Sequence, residues 1–193
     1  MTDKTQKTVR NFCAAAVLAL AAPCVPAADY DIDPAHSFIQ FRVKHLGFSW
    51  LVGRFNKFSG SFHYDTGNPA ASKIELEVET ASVDSNHAER DKHLRNEDFL
   101  DVTKHPKAVF KSTRYEGDAD GGKMHGMLTL HGRTNPMVIS ISKIGEGDDP
   151  WGGYRVGFEG WVTFARADYD MNFDLGPSAK NVEMDLYVEG IRR

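Results

Sequence analysis

The side chains best equipped for chemistry in this chain are its 8 histidines and the carboxylates spaced among them. On the stretch 83–110, VDSNHAERDKHLRNEDFLDVTKHPKAVF, His87 and Asp91 stand four apart, as do Glu89 and His93. That interval brings two side chains together on one helical face. A structural zinc site asks for further ligands at recognised spacing, and neither pair has them. His87 and His93 lie six apart, well round a helix from each other. Solvated helix charges account for these residues, and no metal site is expected. Asp118, Asp120, Asp148 and Asp149 sit in glycine-rich loops without the regular oxygens and terminal glutamate of a calcium loop, so turn chemistry explains them.

Nucleophilic catalysis has little to build on. There is no G-x-S-x-G elbow, no phosphate-binding glycine loop, and no Ser, His and Asp at a spacing that signals a triad. A hydrolase of lipid esters or peptides would have to assemble its groups in space, and Ser49 with His45, which flank one glycine turn, is the pair to test first. A carrier asks for less: an apolar cavity and a few polar groups at its mouth. His45 ends an apolar row directly before that turn, which fits either a mouth position or a histidine satisfied by backbone.

The elements that must position these groups are strands. Over 37–46, Ile39, Phe41, Val43 and His45 share one face and Phe38, Gln40, Arg42 and Lys44 the other. An apolar turn or single helical turn is expected over 47–53, between two glycines. The alternation resumes over 54–64 with Phe58, Gly60, Phe62 and Tyr64, and is cleanest over 73–82, where Ile74, Leu76 and Val78 face Glu75, Glu77 and Glu79. Further strands read over 107–115 (with Phe110), 123–131 (with Leu128 and Leu130) and 136–144, and a loop over 145–153. The last two cover 154–164, with Phe158, Val162 and Phe164, and 182–190, with Leu186 and Val188. Such one-sided alternation favours antiparallel pairing around one dry face. Eight strands close into a barrel just wide enough for one small ligand, and closure removes exposed edges. The fold class expected is therefore all-β, an eight-stranded antiparallel barrel, with a packed sandwich as the competitor. Gly60, Gly126 and Gly160 on the inward rows are expected to leave space inside.

The 83–110 stretch interrupts this pattern between the third and fourth strands. Asn86 and Glu89 have capping-box spacing, and a helix is expected over 87–95. It is too polar for a core element and suits a surface or an opening. Leu94, Phe99 and Leu100 give it an apolar underside.

Residues 1–27 are of another kind. Lys4, Lys7 and Arg10 precede an apolar run from Phe12 to Ala22, and Val25-Pro26-Ala27 ends it. That is the layout of a secretory signal peptide, too short to be a permanent membrane span. It leaves one domain, 28–193, and an expected periplasmic location. Cleavage removes both cysteines, so the mature chain has no disulfide and no thiolate. It also leaves 20 basic and 26 acidic residues, a net charge of −6. So acidic a chain is a poor partner for nucleic acid or anionic lipid surfaces.

The motifs HSFIQFRVKHLGFSWL at 36–51, SVDSNHAERDKHLR at 82–95, GEGDDPWGG at 145–153, DLGPS at 174–178 and VEGI at 188–191 closely resemble the YceI-like proteins of bacterial periplasms. The resemblance spans the mature chain in order. It implies a lipocalin-like barrel holding a long isoprenoid or other amphiphilic lipid, such as an isoprenoid quinone or polyprenyl phosphate, with no covalent cofactor. Homodimers occur among such proteins, and stress induction is known in the family. Positions matching the family's mouth and helix are His45, Trp50, Arg90, Asp91, His93, Leu94 and Phe99. Asp170 departs from the pattern, standing where many relatives carry Gly or Asn. On this reading the helical flap crosses one barrel end, where Arg90 and His93 meet a polar head group and Phe99 meets the tail. The alternative is a structural lid with Arg90 tied to a nearby carboxylate.

Overall fold

A strand that alternates apolar and polar residues has one dry face, and a sheet of such strands must cover it. This sheet covers it by closing on itself. The computed structural model describes residues 27–193, so the leader read over 1–27 lies, but for Ala27, outside the described residues. The strands are Ala28–Ile32 (β1), Phe38–His45 (β2), Ser49–Phe55 (β3), Phe58–Tyr64 (β4), Lys73–Glu79 (β5), Val83–Asp84 (β6), Lys107–Gly117 (β7), Gly121–Leu130 (β8), Arg133–Asp148 (β9), Tyr154–Ala165 (β10) and Asn181–Arg192 (β11). Among the described residues the one α-helix is Ala88–Leu94 (α1).

These 11 segments build eight staves. β1 and β2 lie end to end along β11, with Tyr30 opposite Arg192 and Ile39 opposite Leu186. β4 and β3 lie along β1 and β2 in the same way, and β5 and β6 along β4 and β3. β7 to β11 each make one further stave, every neighbour antiparallel. Because β11 returns to β1 and β2, the ring is shut. Chain order and spatial order coincide, so this is an up-and-down barrel.

The inward rows are those the alternation marked. Ile39, Phe41, Phe62, Leu76, Val78 and Phe110 are buried, and Val43, Phe58, Leu128, Phe158 and Leu186 pack against them half-buried. The glycines do not leave space as expected. Phe110's ring covers Gly126, Phe41's ring covers Gly53, and Phe62's ring covers Gly190, so a Cβ at any of them would collide with an aromatic ring. Gly60 is closed by the Glu75 carbonyl and Ile32, and only Gly160 reaches the interior cavity. Glycine opposite a large ring lets the ring lie flat across the barrel wall.

Four boundaries differ from the sequence reading. The strand read over 54–64 is broken at 56–57 into the end of β3 and the whole of β4. The turn expected over 47–53 occupies only 46–48, where Leu46 (φ 51) and Gly47 (φ 82) take left-handed conformations and Ser49 already begins β3. The loop expected over 145–153 shrinks to 149–153, since β9 runs on through Gly145 and Gly147 to Asp148. Backbone pairing with β10 needs no side chain from those glycines. The helix cap moves one residue: Asn86 is left-handed (φ 62), and His87 is the N-cap, its Nδ1 accepting from the Arg90 N–H at 3.3 Å. The Asn86–Glu89 capping box is not formed. Asp170 also takes φ 57, the conformation in which Gly or Asn is at ease, and its carboxylate holds Arg133.

Candidate ligand-binding site

Eight staves leave a chamber of about 270 Å³ on the barrel axis. Ile39, Phe41, Val43, Phe62, Leu76 and Val78 wall one side, and Phe110, Leu128, Phe158, Val162 and Leu186 the other. Leu94, Phe99 and Leu100 line it too, so the flap closes the end of the barrel where β2, β6 and β10 finish. Beyond them lies a vestibule of about 540 Å³ bounded by Lys44, His45, Leu46, Arg90, His93 and Asp174. Val43, Leu51, Leu94, Phe99 and Leu175 line both spaces, so the two meet there. The outer lip is apolar: Leu46 lines the vestibule, and Phe48 beside it on the hairpin tip is 87% exposed.

The opposite end is braced by polar contacts. Tyr64 Oη donates to the Ala119 carbonyl (2.8 Å), and Lys143 ties Asp120 (3.2 Å) to Glu146 (3.1 Å). Ser72, at that end, turns a buried Oγ without a hydrogen-bond partner toward the chamber.

The flap is held by three devices. Asp91, buried beneath α1, accepts from the backbone N–H and the Oγ–H of Ser85 (2.8 and 2.5 Å). Arg90 donates from Nε to Ser85 Oγ (2.7 Å) and from Nη2 to its carbonyl (2.5 Å), while Arg95 donates to the carbonyls of Ala81 and Val83. On the far side His93, Phe99 and Phe173 form a ring cluster with centroids 4.9 to 5.3 Å apart, and His93 Nε2 meets Asp98 at 3.0 Å. The flap is thereby fastened to the loop that faces it across the mouth.

That loop depends on Arg166, which sequence reasoning missed. Its guanidinium is buried and donates to the carbonyls of Ala179 (2.8 Å), Met171 (3.0 Å) and Phe173 (3.1 Å). Burial pushes its pKa down, opposed by the Asp174 charge nearby, and no carboxylate pairs with it among the described residues. Arg166 also lines the chamber, putting a cation where the apolar space meets the mouth. Nothing in its local sequence separates it from a solvated arginine; only closure of the 166–180 loop buries it.

Two ligand-site residues of the sequence reading fall elsewhere, and the pair offered for hydrolysis is not assembled. Trp50 is on the outer face, 41% exposed, beneath Arg42 (5.1 Å) and Lys44 (5.0 Å), because Leu51 takes the inward position of β3. Phe58 is half-buried on its inward row but does not reach the chamber. His45 and Ser49 face each other across the hairpin, both exposed, with no hydrogen bond between their side chains. The helical pairs do not converge either: Asp91 is taken by Ser85, and His93 by Asp98. Asp118 and Asp149 spend Oδ1 on turn amides, of Asp120 and Gly121 and of Trp151 and Gly153. No helix among the described residues is long and apolar enough to cross a membrane.

The family model of the YceI-like domain matches residues 30–190. The chain belongs to the YceI-like family. Among its relatives, a UPF0312 protein of Pseudomonas aeruginosa is 55% identical over 169 residues, covering 86% of this chain and 88% of its own. A UPF0312 protein of Shewanella sp. (strain ANA-3) is 54% identical over 177 residues, covering 90% of this chain and 93% of its own. The barrel also matches the solved YCEI protein of Campylobacter jejuni (TM-score 0.70, 26% identity, 78% of this chain and 90% of that one). A polyisoprenoid binding domain from Saccharophagus degradans shares the fold at TM-score 0.63 and 16% identity, covering 85% of this chain and 98% of that one.

Proposed function

We propose that this protein is a non-catalytic periplasmic carrier of a long-chain isoprenoid lipid, an isoprenoid quinone or a polyprenyl phosphate. The observation that carries the reading is the continuity of the two spaces: an apolar chamber opens past Leu94 and Phe99 into a vestibule where the polar groups Lys44, His45, Arg90, His93 and Asp174 first appear. An amphiphile with a long tail and a small head has that polarity profile. The Saccharophagus degradans domain, described as polyisoprenoid binding, supports it. Burial of five isoprene carbons contributes about 4 kcal/mol at about 0.8 kcal/mol per methylene, so a few units outweigh the ordering cost of the tail. The head group meets Lys44 and His45 in the vestibule, where Arg90 is committed to Ser85, with Arg166 behind them at the chamber mouth. A hydrolase is not favoured, since the exposed His45 and Ser49 lack the hydrogen bond a nucleophile and its base require.

Native mass spectrometry and organic extraction of protein taken from its own periplasm test this. The expected result is one isoprenoid lipid per chain. Ligand-free protein that also fails to take up an added isoprenoid quinone or polyprenyl phosphate would overturn it.

A further inference from the structure

Where the flap segment rejoins the barrel, Asp101, His105 and His131 converge, with one ligating atom from each within 4.8 Å of the others. Asp101 and His105 come from the stretch between α1 and β7, and His131 from the turn between β8 and β9. None of the three lines the chamber or the vestibule.

The neutral ring of His131 is held in one tautomer. Its Nδ1 lies 2.8 Å from the Tyr169 carbonyl oxygen, which can only accept. In the neutral ring the proton is therefore on Nδ1, and Nε2 keeps its lone pair. A backbone carbonyl behind the imidazole is the arrangement that orients a metal-binding histidine. His105 makes no side-chain hydrogen bond and stands edge-on to His131, ring centroids 4.9 Å apart. Gly132 (φ 73) keeps room for it, since a Cβ there would strike the His105 ring. Asp101 is buried, and both it (φ 40) and His131 (φ 50) hold the left-handed backbone that disfavours side chains. Such strain gathers at functional positions. One competitor is present: Lys104 Nζ sits 2.8 Å from Asp101 Oδ2, on a side chain 69% exposed and free to withdraw into solvent.

We propose that Asp101, His105 and His131 form a binding site for a divalent transition-metal cation of the zinc class. Two imidazoles and one carboxylate leave a fourth position for water, and imidazole selects zinc over the oxygen-seeking calcium and magnesium. Small rotations of the His105 and Asp101 side chains bring the three atoms to bonding distance. Because two ligands belong to the flap segment and one to the β8–β9 turn, the ion ties the flap to the barrel rim. The assignment stands on these three residues alone and holds whatever the chamber carries.

The test is calorimetric titration of tag-free, chelator-stripped protein with zinc chloride. The expected result is one zinc per chain, at least tenfold weaker in His105→Gln and in Asp101→Asn. Lys104→Ala should bind severalfold tighter, since the competing ammonium is gone, and calcium chloride should give no heat. His105→Gln removes no hydrogen bond, so it decides the matter even where Asp101→Asn folds poorly. Unchanged affinity in His105→Gln overturns the proposal. So does zinc binding that vanishes in His36→Ala, because that would place the ion at Asp33, His36 and Glu189, the other cluster of ligating side chains.

Discussion

The ring of Phe41 lies directly over the Cα of Gly53, its partner on the neighbouring stave. A side chain at Gly53 would have to push that ring into the chamber that Phe41 lines. Overpacking of this kind costs about 1–3 kcal/mol. Gly53→Ala should therefore lower stability in urea by that amount and shorten the longest isoprenoid tail the protein retains. Unchanged tail length, measured by mass spectrometry across a series of quinones, would show that Phe41 has another place to go.

Arg90 spends two of its nitrogens on Ser85, and Ser85 in turn anchors Asp91. Removing one partner from such a buried set costs about 1–3 kcal/mol. Arg90→Ala should lower the melting temperature and speed the release of a polyprenyl phosphate and of a quinone of equal tail length by the same factor. A much larger loss for the phosphate would make Arg90 a head-group ligand. Ser85→Ala, which leaves the guanidinium in place, should loosen the flap in the same way.

Phe173 meets His93 edge-to-face and Phe99 at a tilt yet is 39% exposed, so it bridges to the flap without filling the core. Two aromatic contacts at about 0.5–1.5 kcal/mol each set the expected effect. Phe173→Ala should raise the dissociation rate of a bound isoprenoid about tenfold with little change in the unfolding transition. Stopped-flow transfer to acceptor vesicles reads the rate, and an unchanged rate would show that the ring cluster does not gate release.

Asp33 lies at the junction of β1 and β2, 2.7 Å from Arg155 and 2.8 Å from His36. Burial alone would raise its pKa, but hydrogen bonds from His36, Arg155 and the Ala35 N–H hold it down to about 2. An unfolded aspartate titrates near ~3.9. Its stabilisation is thus complete above about pH 4 and is lost as pH falls toward 2. The stability advantage of the native chain over Asp33→Asn should be constant from pH 5 to 7 and shrink between pH 4 and 2, as followed by urea unfolding. An advantage that persists at pH 2 would contradict the assignment.

The barrel was legible because period-two alternation is a local signal: Ile74, Leu76 and Val78 against Glu75, Glu77 and Glu79 declare which face is dry. The signal fails where pairing is carried by backbone alone. Gly145 and Gly147 in β9 have no side chains to alternate, and β1, ADYDI, alternates over only five residues, directly after the leader-like segment. The inward rows also named most of the chamber wall. The mouth was less accessible to such reading. Trp50, given a mouth role by resemblance and read inside a turn, is on the outer face because β3 already begins at Ser49 and Leu51 takes the inward position. Arg166, and the meeting of Asp101 with His131, depend on loops that come together only after the barrel has closed.

The closed ring also brings the two ends of the described chain together. The Arg193 N–H donates to the Asp29 carbonyl at 3.0 Å, and its guanidinium holds Asp31 across 162 positions of sequence. These are the slowest contacts to find, because every other stave pairs with a neighbour in the chain, and loop closure over such a span comes at an entropic cost. A circular permutant joining Arg193 to Ala28 and opened in the exposed turn at Trp151–Gly152 would turn that long-range seam into a hairpin. It should refold faster than the natural order while keeping the same chamber. Barrel closure, not strand formation, would then be the step that sets the folding time of this protein.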